Sequence, residues 1–505
     1  MNVAESLERM SRYFPDRTAL VYREQRWSYR ELSWQANRVG NALRGLGMGV
    51  GDTVCLLLPN GPEFVLAYFG LLRLGAVPVS LNVMLKPAEI AYIANDARAA
   101  AFIAHSTLLD NVPAPDELPT VRLRVAVGAA PEGFLPFARL LDGSTELRAT
   151  DLEPGALAAI LYTSGTTGRP KGAMLSHANV VSNMHAVAHH LRMSPDDRTL
   201  CFLPLFHCFG QNFILNATLN AGATLYLHER FVPDDALAAL SRDQITLLYG
   251  VPTVYILLLN HPELRREALP ALRISFSAAA SLPREVAETW QERVGLPINE
   301  GYGLTESSPF ASYNHEYRFK PGTVGTPIEN VELKVVDLDG QEVPPGELGE
   351  IVIRGPNVML GYFGKPEETA QALRGGWLHT GDIGRMDDEG YLAIVDRVKD
   401  MINVAGFKVW PREVEDVLFQ HPAVRECAVI GAPDAVSGEV VKACVVLREG
   451  QQVTAEALIA FCRERIASYK VPRAVEFIPA LPKSPTGKVL KRELRQRLAE
   501  RVVPE

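Results

Sequence analysis

The chain has 505 residues, of which 47% are hydrophobic and 22% charged, as in ordinary soluble globular proteins. At roughly 150 residues per domain, this length predicts about three domains or subdomains, which can fold without disulfides or metals. With 51 lysines and arginines against 59 aspartates and glutamates, the net charge of −8 argues against nucleic acid as a general partner.

The N-terminal residues carry acidic side chains and lack the apolar core of a signal peptide, so we expect a cytoplasmic protein. The six cysteines are scattered, without a C-x-x-C pair. Cys201, His207 and Cys208 come nearest to a metal pattern but lack a second pair of ligands. We therefore expect reduced thiols rather than a metal at these positions.

Helical and strand patterns alternate through the first half of the chain. Residues 29–46 have the periodicity of an amphipathic helix, residues 54–58 form a short apolar run, and Pro62 suits the first turn of the next helix. Further strands are predicted at residues 100–104, 157–162, 223–227, 247–248 and 274–276. This alternation predicts an α/β fold with largely parallel sheets.

The apolar stretch at residues 64–85 is long enough to cross a bilayer. Arg73 near its centre would cost about 2.5–3.5 kcal/mol on insertion scales, and Gly75 and Pro78 divide the stretch. We predict a buried helix followed by a core strand, and no transmembrane segment.

The pattern changes from about Val331 onwards. Short strands joined by Gly- and Asp-rich turns, at residues 331–340, 349–355 and 390–397, predict a smaller β-rich subdomain. After Asp396, a run of about 110 residues has its own alternation, which suits a separate small α+β domain. Its predicted elements are helices at residues 411–420 and 455–467 and strands at residues 427–431 and 442–447.

The strongest local signal is YTSGTTGRPKG at residues 162–172, directly after an apolar strand. Its spacing differs from that of a Walker A loop. Its glycines nevertheless let backbone N–H groups approach phosphate oxygens, its hydroxyls can donate, and its lysine adds positive charge. A surface turn is the alternative, but this composition favours a phosphate site. The candidate residues are Thr163, Ser164, Gly165, Thr166, Thr167, Gly168 and Lys171.

This segment resembles the phosphate loop of the adenylate-forming superfamily of acyl-CoA synthetases, peptide-synthetase adenylation domains and luciferases. Five further motifs follow in the order typical of that family: PLFHCFG at 204–210, NEGYGLTE at 299–306, TGD at 380–382, DRVKDMINVAGFKVWP at 396–411 and PKSPTGK at 482–488. Among its members, the chain is most similar to bacterial-type fatty-acyl or aryl-CoA ligases.

The resemblance implies an N-terminal AMP-binding domain at residues 1–395, a hinge at 396–399 and a mobile C-terminal domain at 400–505. The large domain is expected to contain two α/β subdomains and the small β-rich one.

The NEGYGLTE motif offers a flat face for a purine at Tyr302, a phosphate donor at Thr305 and a hard oxygen ligand for Mg²⁺ at Glu306. The resemblance implies the same roles, with Thr305 at the α-phosphate. Taken alone, Glu306 could equally be a solvated loop residue. The resemblance also implies nucleotide contacts by four nearby residues, Ala279, Asn299, Gly301 and Gly303.

By resemblance, Asp382 and Arg397 clamp the ribose, since a carboxylate accepts hydroxyls and a guanidinium donates. A salt bridge at the domain boundary is the alternative for Arg397. Lys399 matches the hinge position, where a solvated charge cluster is the alternative. Gly406 belongs to the loop that borders the pantetheine tunnel in family members.

Lys488 matches the mobile catalytic lysine of the family. An ammonium bridging the α-phosphate and the attacking carboxylate would stabilise the transition state more than the ground state. A solvated basic face is the alternative. His207 lies between aromatic residues, where a buried core histidine is the default. The resemblance instead implies a wall or gate of the acyl pocket, without proton transfer.

These motifs imply an ATP-dependent carboxylate–CoA ligase that uses ATP, Mg²⁺ and coenzyme A. It would form an acyl-adenylate and then an acyl-CoA thioester, releasing pyrophosphate and AMP. A carrier-protein pantetheine is the alternative acceptor, and a non-catalytic nucleotide- or acyl-binding protein is the alternative from another class. Nothing in the motifs requires an oxygenase of the luciferase kind.

We expect a medium- or long-chain fatty acid as substrate, with an aryl acid of the benzoate or cinnamate type as the alternative. Residues 216–227 are apolar without arginine, which disfavours a small dicarboxylate. At residues 277–281 the sequence departs from the SGAAP-like pattern of the family, and Ala278 in place of glycine predicts a narrower acyl site. A homodimer is left open.

Overall fold

The computed structural model describes residues 1–163, 169–337, 339–397, 400–405, 407–434, 437–484, 487 and 489–500, without the side chains of Arg397, Ala499 and Glu500. In this part of the chain, the α-helices are α1 Glu5–Tyr13, α2 Tyr29–Gly45, α3 Pro62–Leu74, α4 Pro87–Asp96, α5 His177–His190, α6 Ala217–Asn220, α7 Pro233–Arg242, α8 Pro252–Leu259, α9 Arg284–Val294, α10 Pro366–Ala372, α11 Pro411–Phe419, α12 Ala455–Arg463 and α13 Lys491–Glu500.

The strands follow the same chain order. They are β1 Thr18–Tyr22, β2 Gln25–Ser28, β3 Thr53–Leu57, β4 Val77–Ser80, β5 Ala101–His105, β6 Leu123–Val127, β7 Leu135–Pro136, β8 Leu157–Thr163, β9 Lys171–Ser176, β10 Arg198–Cys201, β11 Thr224–Leu227, β12 Leu247–Gly250, β13 Ile274–Ser277, β14 Ile298–Gly303, β15 Phe310–Tyr313, β16 Thr326–Pro327, β17 Glu332–Val336, β18 Gly349–Arg354, β19 Gly361–Tyr362, β20 Leu378–Met386, β21 Leu392–Arg397, β22 Ile402–Val404, β23 Phe407–Val409, β24 Val424–Asp434, β25 Gly438–Leu447 and β26 Ala474–Phe477.

Two large sheets form the N-terminal part. The first has the strand order β19-β9-β8-β4-β3-β5-β6-β7 and the second β16-β15-β14-β13-β12-β10-β11-β1-β2. Their central strands pair in parallel, whereas β9 and β19 in the first sheet and β2, β15 and β16 in the second pair antiparallel. The predicted α/β fold with largely parallel sheets is confirmed.

The two smaller sheets also confirm the sequence prediction. Strands β17, β18, β20 and β21 form an antiparallel sheet in chain order, which is the β-rich subdomain. In the C-terminal part, β22 to β25 pair antiparallel and β26 adds a parallel edge to β25. A separate apolar core lies beneath this last sheet. The exact domain boundaries stay a prediction.

One helix ends earlier than predicted. Helix α12 stops at Arg463 rather than at residue 467, because the N–H of Arg465 bonds to the Cys462 carbonyl three residues before it, which tightens and ends the last turn. A feature that the sequence did not predict is the π-helix Phe209–Asn216, which continues directly into α6.

The apolar stretch around Arg73 folds as predicted, into helix α3 followed by strand β4. Among the described helices, none combines the length and hydropathy of a membrane span. The Arg73 side chain is fully buried, where its guanidinium donates to the Ser33 hydroxyl at 2.8 Å and to the Asn37 side-chain oxygen. Burial lowers the pKa of Arg73 to about 10. Helix α2 thus supplies the polar groups that a buried cation requires.

Asn37→Ala is expected to destabilise the N-terminal part by about 2–3 kcal/mol, because a buried guanidinium then loses an acceptor. The measurement is the denaturant midpoint of unfolding. Gln35→Ala, a half-buried position of the same helix, is the matched control and should shift the midpoint much less. Equal shifts for the two variants would contradict a stabilising role of the Arg73 contact.

Candidate functional site

The hairpin of β8 and β9 carries the Gly/Ser/Thr-rich segment at its tip. Thr163 ends β8 and pairs in register with Lys171, the first residue of β9. Both side chains approach one neighbouring group of residues. The Thr163 hydroxyl donates to Glu306 Oε1 at 3.3 Å, and Lys171 Nζ lies 5.2 Å from the ring centroid of Tyr362. Five predicted residues at the tip, Ser164, Gly165, Thr166, Thr167 and Gly168, lie outside the described residues.

Tyr362 is a site residue that the sequence analysis missed. Its strand, β19, pairs with β9, and its hydroxyl donates to Glu306 Oε1 at 2.9 Å. Burial and the charge of Glu306 raise the pKa of Tyr362 well above its ordinary value, so the phenol stays a neutral donor. Its only local signal is the dipeptide Gly361-Tyr362, which acquires a role through the pairing of two strands distant in sequence.

Glu306 lies in the 3₁₀ turn Thr305–Ser307 and is only 8% exposed. Both hydroxyl donors reach its Oε1, from Thr163 and from Tyr362. Among the described residues, no group of three His, Cys, Asp or Glu side chains could enclose a metal ion. A single oxygen ligand fits Mg²⁺, which is commonly held by one or two carboxylates and completes its shell with phosphate oxygens and water.

Tyr302 and Asp382 form the second predicted group. The Tyr302 hydroxyl donates to Asp382 Oδ2 at 2.7 Å, and Asp382 is 5% exposed. In the ladder of β20 and β21, Asp382 lies opposite Arg397, whose side chain lies outside the described residues. The structure thus brings together the residues that the sequence assigned to adenine and ribose, although they are 80 positions apart.

The backbone around Tyr302 has room only for glycine on either side. A Cβ atom on Gly301 would lie 2.4 Å from Phe276 Cζ, and one on Gly303 would lie 1.5 Å from the carbonyl oxygen of Pro309. Real Cβ atoms do not approach that closely. These two glycines therefore let β14 pass its neighbours closely while Tyr302 reaches Asp382.

Three other predicted residues occupy defined backbone positions. Asn299 is buried and donates its amide to the carbonyl of Asn314 at 2.9 Å, which ties β14 to the residue after β15. Ala279 follows β13 with a φ of +68°, a conformation that costs a non-glycine residue free energy. Thr305 opens the turn that carries Glu306.

His207 is half-buried just before the π-helix. Its Nδ1 accepts from the backbone N–H of Phe209 at 3.2 Å. The backbone of Gly210 passes close to Pro204 here. A Cβ atom on Gly210 would lie 2.2 Å from the carbonyl oxygen of Pro204, so only glycine fits. His207 is thereby fixed at the end of an aromatic segment, where a wall of a pocket was predicted.

In the C-terminal part, Lys399, Gly406 and Lys488 lie outside the described residues. Gly487 is described and packs against the second large sheet. The Thr253 hydroxyl donates to its carbonyl at 3.4 Å, and a Cβ atom on Gly487 would lie 2.8 Å from Val251 Cγ2. Val251 directly follows β12, so the loop of Gly487 meets the carboxyl ends of the parallel strands.

Glu300 is a buried carboxyl group at the boundary of the two parts. It lies in β14, is 8% exposed, and faces Arg412 and Asp416 of α11. Burial raises the pKa of Glu300 to about 7, against the opposing effects of Arg412 and the Leu282 N–H. The sequence analysis gave no role to this position, because its burial depends on a helix more than 100 residues away.

A sequence profile described as AMP-binding enzyme matches residues 7–363, and one described as AMP-binding enzyme C-terminal domain matches residues 413–488. The chain is 39% identical to feruloyl-CoA synthase of Amycolatopsis sp over 97% of both chains. It is 35% identical to long-chain-fatty-acid–CoA ligase of Bacillus subtilis, covering 96% of this chain and 93% of that protein. The crystal structure of the anthranilate CoA ligase AuaEII in complex with anthranoyl-AMP superposes with a TM-score of 0.94, at 35% identity over 99% of this chain and 98% of that one.

Glu300→Gln is expected to raise the thermal midpoint at pH 8 while changing it little near pH 4.5. Because the native-state pKa of Glu300 is about 7 and the ordinary value is 4.5, the native protein binds more protons than the unfolded chain between those pH values. Wild-type stability therefore falls as pH rises through this window. The difference in thermal midpoint between Glu300→Gln and wild type is fully present above pH 7.

The measurement is calorimetric unfolding of both proteins from pH 4.5 to pH 8.5. Glu292→Gln, an exposed position on α9, is the control and should retain the wild-type pH profile. A Glu300→Gln profile parallel to that of wild type would show that Glu300 does not titrate in this range.

Proposed function

The chain belongs to the family of AMP-binding enzymes, and from that premise we propose that its carboxylate substrate is a compact aromatic acid. Its reaction is that of an AMP-forming acid–thiol ligase, with ATP, Mg²⁺ and coenzyme A as reactants and cofactor. The carboxylate first forms an acyl-adenylate with release of pyrophosphate. The coenzyme A thiol then displaces AMP and forms the thioester.

We assign the nucleotide to the two groups of contacts at Glu306 and Asp382. Tyr302 and Asp382 would hold adenine and ribose, and the hairpin residues Thr163 and Lys171 would face the phosphates. Glu306 would hold Mg²⁺, which supplies positive charge to the polyphosphate when bound. Tyr362 supports this assignment, because its hydroxyl fixes the orientation of the Glu306 carboxylate.

The observation that carries the substrate proposal is a buried aromatic cluster next to Gly301. Phe213 of the π-helix has its ring centroid 4.7 Å from that of Phe276 and 5.0 Å from that of Phe310. Phe209 extends the cluster towards His207, at 5.2 Å from Phe213. These rings pack between the π-helix and strands β13 to β15. If the acyl group binds beside His207, as the resemblance implies, they would form the floor of its site. A short, flat acid suits such a floor better than a long flexible chain.

The relatives support both substrate classes. The feruloyl-CoA synthase and the anthranilate CoA ligase are named for aromatic acids, in keeping with the aromatic floor. The Bacillus subtilis relative is named for long-chain fatty acids, so the medium- or long-chain fatty acid predicted from the sequence is the second candidate.

We also propose a domain rotation about residues 396–399 that moves Lys488 to and from the nucleotide. Two separate family profiles end and begin on either side of this segment, at residues 363 and 413. In support, Gly487, the residue before this lysine in the sequence, contacts Thr253 and Val251 at the strand ends, where the α-phosphate would lie.

A cytoplasmic location is proposed from the chemistry of the reactants and thiols. ATP and coenzyme A are intracellular metabolites, and all six cysteines are buried thiols, as is usual in reducing compartments. Free coenzyme A is the proposed acceptor, which a direct comparison with a carrier protein would test. A homodimer stays a prediction, for which sedimentation equilibrium is the measurement.

Aromatic acids are expected to give at least about tenfold higher kcat/KM than fatty acids longer than ten carbons, equivalent to about 1.4 kcal/mol. The measurement is AMP release with a panel of benzoates, cinnamates and fatty acids, with and without coenzyme A. Phe213→Ala should shift the ratio towards longer acids, because it opens the aromatic floor. Phe102→Ala, a buried position in β5, is the control for lost packing and should leave the ratio unchanged. A wild-type preference for long-chain acids would reject the proposal.

Lys488→Ala is expected to lower acid-dependent pyrophosphate exchange by about 100-fold or more, since charge stabilisation in the transition state contributes on this scale. Thioester formation from a supplied acyl-adenylate should stay within about twofold of wild type. The control is Arg492→Ala, an exposed basic position on α13, which should affect neither half-reaction. Equal losses in both half-reactions of Lys488→Ala would contradict the assigned role.

A further inference from the structure

Helix α4 packs beside the hairpin of β8 and β9, and its last residue is an aspartate whose carboxylate has two partners. Asp96, its last residue, accepts a hydrogen bond from the Tyr162 hydroxyl at Oδ2, with a distance of 2.7 Å. At Oδ1 it pairs with Lys365 Nζ at 3.3 Å. The Asp96 side chain is only 14% exposed, so solvent screens these contacts weakly. One carboxylate thus connects Tyr162 and Lys365, which are 203 positions apart in sequence.

The same helix also contacts the far end of residues 162–172, the phosphate segment. Tyr92 lies one turn before Asp96, at the i, i+4 spacing that places two side chains on one helix face. Its hydroxyl donates to the carbonyl of Pro170 at 3.2 Å. Its ring lies 5.6 Å from the guanidinium carbon of Arg169. Tyr162 is the first residue of this segment and Arg169-Pro170 lies near its end, so α4 contacts both ends of it.

Lys365 extends this arrangement to the residue that orients Glu306. It follows strand β19, and its backbone N–H donates to the carbonyl of Tyr362 at 3.1 Å. Tyr362 in turn donates to Glu306. The contact with Asp96 raises the pKa of Lys365, and burial together with Asp96 raises that of Tyr162. Both partners therefore keep their protons and remain donors to the carboxylate at neutral pH.

We propose that Asp96 and Tyr92 are positioning residues of the ATP site, which fix the two ends of the phosphate segment and the strand of Tyr362 on helix α4. This inference rests on the proposed function, because it presumes that Thr163, Lys171 and Glu306 face the triphosphate. Neither Asp96 nor Tyr92 is assigned a contact with a reacting atom.

The physical effect is preorganisation. Tyr162 adjoins Thr163, and Pro170 adjoins Lys171, so the contacts with α4 hold these two phosphate-facing residues in place before the ligand arrives. Binding then costs less conformational entropy. If removing an anchor lowers the fraction of molecules that hold Thr163, Lys171 and Glu306 in the binding arrangement to about one tenth, the apparent Kd for the nucleotide rises about tenfold. The acyl-adenylate has lost the β- and γ-phosphates, so its reaction with coenzyme A should not depend on the anchors.

The test uses the full chain with the variants Tyr92→Phe, Tyr162→Phe and Asp96→Ala. Calorimetric titration with Mg·ATP measures the Kd, and thioester formation from a supplied acyl-adenylate measures the second half-reaction. We expect the Kd to rise about 5- to 20-fold in each variant, with the second half-reaction within twofold of wild type. The double variant of Tyr162 and Asp96 should bind ATP no more weakly than Asp96→Ala alone, because both changes remove the same hydrogen bond.

Asp116→Ala, an exposed position in the same sheet region, is the control and should leave the Kd unchanged. The Tyr→Phe variants keep the ring and its packing, so they test the hydroxyls even if Asp96→Ala folds poorly. An unchanged Kd in both Tyr→Phe variants, or equal losses in both half-reactions, would overturn the inference.

The ligase function and the positioning role of Asp96 and Tyr92 can be tested separately. If wild type binds Mg·ATP but shows no acid-dependent pyrophosphate exchange, the proposed function is wrong, and the Kd values still decide the role of the anchors. If wild type exchanges normally and the anchor variants bind ATP as tightly as it does, only this inference is wrong.

Discussion

The Glu306 carboxylate is the point on which the candidate site depends. It lies in the 3₁₀ turn after β14, yet its Oε1 accepts hydrogen bonds from Thr163 at the end of β8 and from Tyr362 of β19. A buried carboxylate without such donors would be costly. Its two donors come from the first large sheet, whereas its own turn follows a strand of the second sheet. These two hydrogen bonds therefore connect the two sheets at the edge where the phosphates are proposed to bind.

A protein with a net charge of −8 that binds two anionic reactants must place its cations locally. Lys171 illustrates how this is done, since its ammonium lies over the face of Tyr362 and makes no ion pair with a carboxylate in the described part of the chain. An aromatic face attracts a cation without neutralising it. The positive charge thus remains available to phosphate oxygens, while the phenol of the same tyrosine serves Glu306.

Sequence reasoning predicted the elements well because the parallel strands are buried on both faces and appear as continuous apolar runs. It also named candidate site residues that belong to motifs, such as Tyr302, Glu306 and Asp382, and their roles stay predictions. It could not find Tyr362 or Asp96, because each obtains its role from a partner in another element. The raised pKa of Glu300 was equally hidden, since burial by a distant helix is a property of the folded chain. The Asn299 amide donates to the Asn314 carbonyl, which is a structural contact. Its contact with the nucleotide stays a prediction.

The difference between the two kinds of residue follows from what each must do. A residue that contacts a phosphate or a purine must have a particular chemistry beside a particular backbone shape, which leaves a compact local pattern such as NEGYGLTE. A residue that holds such a segment in place needs only one hydrogen bond of suitable length, which many side chains at many positions can supply. Tyr92 and Asp96 are of this second kind, on a helix whose composition is unremarkable for an α/β protein. Helix α4 can act on the ATP site because its two tyrosine hydrogen bonds reach Tyr162 and Pro170, which adjoin Thr163 and Lys171. Binding strength for ATP is therefore expected to depend on parts of the fold that no phosphate-binding motif includes.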